Sequence, residues 1–270
     1  MVKDLIDYHI HTALCGHAAG EMADYAAAAA RKGLREIGFA DHFPLRLLGF
    51  DPPAKVTMEA EELDCYVEAV RRLARSQQQL VVKLGIEVDY LPGKEEELRD
   101  ILSRYPFDYV IGSIHFIDGW DFTHPAQTAG YKTRDLGALY RRYFDLVAEA
   151  CRSGLFDIIG HVDVIKKFGF FPEEDLEPYW QKTAAVLKET GICLELNTAG
   201  KEAPAGEFYP RRRLLELCSE QGVAVTLGSD AHAPEQVGRF FPEARALLRD
   251  AGYREVALFS GRRRSTVPLP

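Results

Sequence analysis

The chain has 270 residues and a formal charge of −8, from 41 acidic and 33 basic residues. Its apolar content of 47% is enough for the core of one large α/β domain. The acidic balance disfavours nucleic acid as the main partner, and no apolar run reaches the length of a membrane span. Residues 1–4 show no signal-peptide pattern, and the five scattered cysteines lack C-x-x-C spacing. We therefore expect a cytoplasmic protein without a thiolate metal site.

Short apolar runs alternate with amphipathic segments along the chain. After a first strand that ends at His9-Ile10-His11, strands are expected over 36–40, 80–88, 108–115, 156–160, 192–197, 223–229 and 255–259. Helices are expected over 21–32, 57–79, 94–104, 134–153, 172–190, 211–221 and 241–251, and 119–133 looks like a long aromatic-rich loop.

This alternation predicts a parallel sheet covered by helices on both faces. No Gly-rich phosphate fingerprint follows the first strand, which counts against a dinucleotide-binding fold. We expect a single domain over 1–270, built as a barrel of about seven βα units. In such barrels the carboxyl ends of the strands form the active face.

Polar side chains follow the predicted strands where each one ends. His9 and His11 are two residues apart on a strand and should point to the same face. Others follow later strands, so that seven of the eight histidines lie at or just past a strand end; the full set is His9, His11, His17, His42, Glu87, His115, His161, Asp230 and His232. Ligands that are all nitrogen and oxygen suit Zn, Mn, Fe or Co. Nine are too many for one ion and suffice for three if a carboxylate bridges.

At these positions the sequence resembles the PHP family, named for polymerase and histidinol phosphatase. The resemblance covers essentially the whole chain and is carried by His9-Ile-His11 with His17, Ala40-Asp41-His42, Gly85-Ile-Glu87, Gly112-Ser-Ile-His115, Gly160-His161-Val-Asp163 and Gly228-Ser-Asp230-Ala-His232. Two further stretches, Gly112 to Trp120 and Leu194 to Thr198, resemble the monofunctional histidinol-phosphatases within that family.

The resemblance implies a distorted (β/α)7 barrel, similar to a TIM barrel, with a trinuclear metal site. One ion would take His9, His11, Glu87 and Asp230. A second would share Glu87 and add His115 and His161, and the third would take His17, His42 and His232.

The implied activity is hydrolysis of L-histidinol phosphate to L-histidinol and phosphate in histidine biosynthesis. Glu87, Asp230 and His232 are the expected catalytic residues, and we expect direct attack by a metal-bound hydroxide. Asp230 and His232 are both candidates for donating a proton to the leaving alkoxide, and the sequence does not choose between them.

Lysines beyond two strand ends are candidates for binding the substrate phosphate. Lys166 follows His161 and Lys201 follows Asn197, and Lys167 and Arg211 are alternatives. The remaining histidine, His124, matches no ligand position and is expected in a loop.

The residues are also compatible with two other functions. The same metals could serve another small phosphoester or a nucleotide, because a fold does not fix its substrate. The chain could also be a polymerase-associated or structural module. The absence of an extra domain, the net acidic charge and the complete ligand set disfavour that alternative.

Overall fold

The computed structural model describes residues 5–270, so the expectation for residues 1–4 lies outside the described part. Its strands are β1 (Ile6–Ile10), β2 (Glu36–Phe39), β3 (Val81–Asp89), β4 (Tyr109–Ser113), β5 (Phe116–Ile117), β6 (Trp120–Asp121), β7 (Ile158–Ile159), β8 (Cys193–Asn197), β9 (Val225–Gly228), β10 (Glu255–Ser260) and β11 (Arg263–Pro268). Its α-helices are α1 (Met22–Lys32), α2 (Leu63–Ser76), α3 (Glu95–Leu102), α4 (Ala129–Lys132), α5 (Leu136–Arg152), α6 (Glu177–Thr190), α7 (Arg212–Glu220) and α8 (Phe241–Asp250).

Seven parallel strands form the barrel, in the order β1-β2-β3-β4-β7-β8-β9. The two ends of this sheet meet: the His11 amide donates to the Ala231 carbonyl (2.9 Å), and the Ala231 amide donates to the His9 carbonyl (3.2 Å). Most strand residues are buried, as expected where helices cover a sheet whose other face lines the barrel. The expected seven-stranded TIM-like barrel is confirmed.

Local sequence signals set the helix ends. The alanine-rich helix α1 stops at Gly33, which takes the left-handed φ of 75° that favours glycine. Helix α5 starts after Asp135, whose side chain accepts a hydrogen bond from the Ala138 amide and so caps the first turn. Capping residues of this kind set where the helices begin and end, and so where the chain returns to the barrel.

An aromatic floor, made of Tyr8, Tyr109 and Phe259, fills the barrel at the end opposite the histidines. Tyr109 begins β4, stacks on Tyr8 at 4.8 Å between ring centroids, and donates a hydrogen bond to the Tyr8 carbonyl. Its side chain passes over Gly38 and Gly85, where any Cβ would lie under 2.5 Å from the ring or hydroxyl. Phe259, from β10, completes the floor, with its ring centroid 6.2 Å from that of Tyr8.

Strand β1 contains a bulge that separates the floor from the histidines. Asp7 pairs with Ile37 and Ile10 pairs with Phe39, so β1 advances three residues while β2 advances two. A bulge re-aims side chains within a strand. As a result Tyr8 packs in the floor while its neighbour His9 faces Glu87 and Glu195.

Several predicted bounds were wrong. The segment 57–79 is helical only from a short 3-10 turn at Ala60–Glu62 to the end of α2, and 172–190 becomes helical only at α6. The expected loop 119–133 contains strand β6 and helix α4. The last predicted strand, β10, lies outside the barrel because it pairs antiparallel with β11. These differences lie in connections and at the C-terminus, where apolar periodicity is weakest.

Across residues 5–270, the structure contains no helix that is both long and apolar enough to cross a membrane.

Candidate metal centre

The nine predicted ligand residues lie together at the carboxyl ends of the barrel strands. A cavity of about 470 Å³ opens there, and its wall includes His17, His42, Glu87, His115, His161, Asp230 and His232. His9 and His11 lie just beneath it and are fully buried. Because the strands are parallel, side chains more than 200 residues apart in sequence reach one mouth.

Six of these residues form what we call the inner group: His9, His11, Glu87, His115, His161 and Asp230. Glu87 is its centre, and its carboxylate lies 2.9 Å from His161 Nε2, 3.4 Å from His9 Nε2 and 3.7 Å from His11 Nε2. Asp230 Oδ1 lies 3.1 Å from His11 Nε2 on the other side. Asp230 Oδ1 also lies 3.9 Å from His9 Nε2, so the two carboxylates share the imidazoles of His9 and His11.

The remaining three histidines form what we call the outer trio: His17, His42 and His232. Their ligand atoms all lie within 4.8 Å of one another, and His17 Nε2 is 2.9 Å from His232 Nε2. His42 joins the two groups, because its Nδ1 lies 2.9 Å from Glu87 Oε2.

Five of the histidines are oriented in the same way. In each, Nδ1 faces an oxygen, which leaves Nε2 to face the cluster; the pairs are His9 with Glu195 (2.7 Å), His11 with Asp41 (3.4 Å), His17 with the Cys15 carbonyl (3.1 Å), His115 with Asp89 (3.0 Å) and His232 with the Asp230 carbonyl (3.0 Å). An imidazole that donates from one nitrogen keeps a free lone pair on the other, which is the usual arrangement of a metal-binding histidine.

The carboxylates control the charge of the inner group. Burial alone would lower the pKa of His11, but the Asp230 and Asp41 carboxylates beside its ring and the nearby charge of Glu87 raise it to about 9. Burial likewise opposes protonation of His115, yet the neighbouring Asp89 raises its pKa to about 9. In the same way, surrounding histidines hold the pKa of Glu87 well below its usual range despite burial. The inner group therefore requires positive charge between its carboxylates.

The outer trio has the opposite electrostatics. Burial, together with neighbouring histidines, lowers the pKa of His17 to about 4. Burial and the proximity of His11 lower the pKa of His232 to about 2. Both imidazoles are therefore neutral near pH 7, the state in which histidine binds a metal ion.

The residues present fit divalent metal ions. His9 Nε2 and His11 Nε2 are buried and make no hydrogen bond within residues 5–270, although such atoms normally have a partner. The sets of three ligand atoms that lie within 4.8 Å of one another include His9, His11 and Asp230; His9, Glu87 and His161; and the outer trio. Imidazole with carboxylate suits Zn, Mn, Fe or Co.

Sequence reasoning missed Glu195, which is almost fully buried beside His9. The residue was visible as an acidic side chain inside the apolar strand β8, two positions before Asn197 and hence on the same face. Asp89 was also missed; it accepts hydrogen bonds from the His115 amide (2.8 Å) and lies against the His115 ring.

The structure does not bring the two predicted phosphate-binding lysines to the cavity. Lys166 is buried, and its Nζ lies 2.8 Å from Asp163 and donates to the Phe208 carbonyl (2.7 Å). Lys201 is exposed and lies over the Phe208 ring. Lys167, named above as an alternative, does line the cavity, and so does His124.

Comparisons with known proteins point to one family. The PHP domain model matches residues 7–199. A "Probable histidinol-phosphatase" of Deinococcus radiodurans is 42% identical over 93% of this chain and 95% of its own length. The histidinol-phosphatase of Bacillus subtilis is 28% identical over 86% of this chain and 95% of its own.

Among solved structures, a histidinol phosphate phosphatase from Lactococcus lactis, complexed with zinc, L-histidinol and phosphate, superposes with a TM-score of 0.82. It covers 97% of this chain and 99% of its own, at 21% identity, and so supports the fold. The extent of the domain match and the 42% identity establish that this chain belongs to the PHP domain family.

Proposed function

We propose that this protein is a metal-dependent phosphomonoesterase that hydrolyses L-histidinol phosphate to L-histidinol and phosphate, a step of histidine biosynthesis. The observation that carries the proposal is the convergence of nine nitrogen and oxygen ligands in one cavity. The choice of substrate is supported by the relative that is 42% identical over nearly the whole chain.

Three divalent ions, of Zn, Mn, Fe or Co, are proposed for the site. The first would be held by His9, His11, Glu87 and Asp230, the second by Glu87, His115 and His161, and the third by the outer trio. Glu87 suits the shared position because its carboxylate lies within 4 Å of five imidazoles; these belong to His9, His11, His42, His115 and His161.

When bound, such ions supply Lewis acidity and make hydroxide available from water near neutral pH. The protein holds the charges that balance them: Glu87 and Asp230 are the two anionic members of the cluster, and its histidines are neutral when they act as ligands. Asp230 and His232 both line the cavity and are the proposed groups for proton exchange with the nucleophile and the leaving alkoxide.

Lys167 is the proposed cationic contact to the substrate phosphate, in place of Lys166 and Lys201. Its ammonium donates to the Thr123 carbonyl (2.9 Å) and is close enough to Asp230 and Asp121 for their charges to raise its pKa, although burial lowers the pKa overall. This places a cation beside the inner group, on the wall that a phosphate dianion would meet.

We propose a cytoplasmic location and a small-molecule partner rather than nucleic acid. All five cysteines are free, and four of them are buried, as expected for a protein made in a reducing compartment. The net charge of −8 disfavours a polyanionic partner.

A steady-state assay on purified, metal-loaded protein tests the function. Histidinol phosphate is compared with a panel of sugar phosphates and nucleotides, and we expect kcat/KM to be highest for histidinol phosphate. Equal or faster turnover of several unrelated esters would rule out the assigned substrate. A metal-loaded protein that hydrolyses none of them would rule out the phosphatase assignment.

A further inference from the structure

We infer that Glu195 is a positioning residue that holds ligands of two of the three proposed ions at once, and that only a carboxylate can do this. The inference rests on the metal site proposed above. Glu195 lies on β8, next to β7 and β9 in the barrel, so its side chain can reach residues carried by several strands.

The first contact of Glu195 is with the inner group through β1. Its Oε1 lies 2.7 Å from His9 Nδ1, and both side chains are almost completely buried. His9 Nε2, on the opposite side of the ring, makes no hydrogen bond with any described residue and faces Glu87 and Asp230. An acceptor at Nδ1 keeps the proton on that nitrogen and leaves Nε2 with its lone pair free for a metal ion.

The second contact is with the chain that carries His161. The His161 amide donates to Glu195 Oε2 at 2.8 Å. His161 has a positive φ of 22°, which is unfavourable for a residue with a side chain, so this hydrogen bond helps to hold a strained turn. The turn places His161 Nε2 against Glu87.

The third contact extends the network to Asp230. Asn197 donates through Nδ2 to Glu195 Oε2 (3.2 Å) and to Asp230 Oδ2 (3.3 Å). Glu195 therefore supports His9 and His161 directly and Asp230 through Asn197. None of these three contacts reaches the outer trio.

Both oxygens of Glu195 face donors only, which is why the residue must be a carboxylate. Oε1 meets His9 Nδ1, and Oε2 meets the His161 amide and the Asn197 amide group. A glutamine has one oxygen and one NH2, so one of its ends would set a donor against a donor. If the NH2 faced His9, the imidazole proton would move to Nε2, the atom proposed to bind metal.

The surrounding chain is shaped around this carboxylate. A Cβ at Gly228 would lie 1.9 Å from Glu195 Oε1, so glycine at the end of β9 is what admits the side chain to its position. The fit fixes the carboxylate between His9 and the His161 turn, and leaves a substituted side chain little freedom to find other partners.

The test compares Glu195→Gln with Glu36→Gln. Glu36 is also a buried glutamate at a strand residue of the same barrel, but it is hydrogen-bonded to the Tyr8 hydroxyl and contacts no proposed ligand. Zinc affinity is measured on metal-stripped protein by competition with a coloured chelator. For Glu195→Gln we expect about 10–100-fold weaker binding of two ions and unchanged binding of the third. For Glu36→Gln we expect all three affinities to be unchanged.

A second measurement does not depend on the variant folding. In the zinc-loaded wild-type protein, ¹⁵N NMR of the histidine rings should show His9 protonated at Nδ1 and bound to zinc through Nε2. Zinc on His9 Nδ1, or three wild-type affinities in folded Glu195→Gln, would overturn the inference and leave the phosphatase proposal intact. Failure of the wild-type protein to bind zinc would instead overturn the metal site itself.

Discussion

The inner group and the outer trio meet in one cavity but are built differently. The inner group surrounds two carboxylates, and the raised pKa values of His11 and His115, both about 9, show its demand for positive charge. The outer trio consists of imidazoles alone, and the lowered pKa values of His17 and His232 show that it repels added protons. The inner group should therefore bind cations strongly by charge, while the outer trio relies on neutral donors and should release its ion first.

The largest effect is expected from removing the carboxylate at the centre of the inner group. Glu87→Gln takes away a charge that lies within 4 Å of five imidazoles, and the variant cannot bridge two ions. We expect phosphatase activity to fall to background and the bound-metal content to drop by at least the two inner ions. Metal analysis together with the histidinol phosphate assay checks this. Normal metal content and activity in the folded variant would show that the ligand assignment is wrong.

A smaller effect is expected from the outer trio. His17→Ala removes one neutral donor of the outer trio, so we expect one ion to be lost while the two inner ions stay bound. We expect kcat to fall about 10²–10³-fold, the usual cost of losing one group that stabilises charge in the transition state. The comparison is made with His9→Ala, which should lower the content of inner ions instead. Identical metal losses in the two variants would remove the distinction between the groups.

Lys167 and Lys55 both line the cavity, and they allow a partly buried cation to be compared with an exposed one. Lys167 is partly buried near Asp230, whereas Lys55 is exposed and lies beside Gly16, next to His17. Loss of a charge-assisted hydrogen bond costs about 1.5–3 kcal/mol, so Lys167→Met should raise KM about 10-fold or more. Lys55→Met should change KM less, because solvent screens an exposed charge. Equal KM values for Lys167→Met and the wild type would exclude Lys167 as the phosphate contact.

The last expected effect is on the stability of the metal-free protein as a function of pH. His11 and His115 have pKa values of about 9 in the folded chain against an ordinary 6.5. Between pH 6.5 and about pH 9 the folded state binds more protons than the unfolded state, so the stability of the folded protein should fall as pH rises. His17 and His232, with pKa values of about 4 and about 2, act in reverse: their contribution is lost as pH falls below 6.5.

Thermal unfolding in excess chelator measures both trends. We expect the unfolding midpoint to decline on each side of about pH 6.5, and His17→Ala to flatten the acidic side alone. A midpoint that rises steadily from neutral to alkaline pH in the chelated protein would contradict the charge assigned to the inner group.

The position of the site could be predicted from sequence because it depends on a simple rule. His42, His115 and His161 each follow an apolar strand and Glu87 lies near the end of one, and the carboxyl ends of parallel strands meet at one mouth. The supporting residues could not be predicted in this way. Glu195 meets His9 because β8 and β1 lie on either side of β9, an adjacency fixed only by the closed barrel.

The choice between Lys166 and Lys167 shows a second limit. Both follow His161, on either side of the end of a 3-10 turn (Val164–Lys166). Successive side chains on such a turn point about 120° apart, so neighbouring lysines face different surroundings. Lys166 is directed to Asp163 and Glu207, and Lys167 to the cavity. The sequence of the turn does not indicate which of the two lysines points to the cavity.

The aromatic floor has a consequence for substrate entry and product release. Tyr8, Tyr109 and Phe259 fill the lower end of the barrel, so substrate enters and product leaves through the same mouth. An incoming ester must wait until the previous inorganic phosphate has gone. We therefore expect inorganic phosphate to inhibit the enzyme competitively. The inhibition should increase with phosphate concentration and be relieved by more substrate.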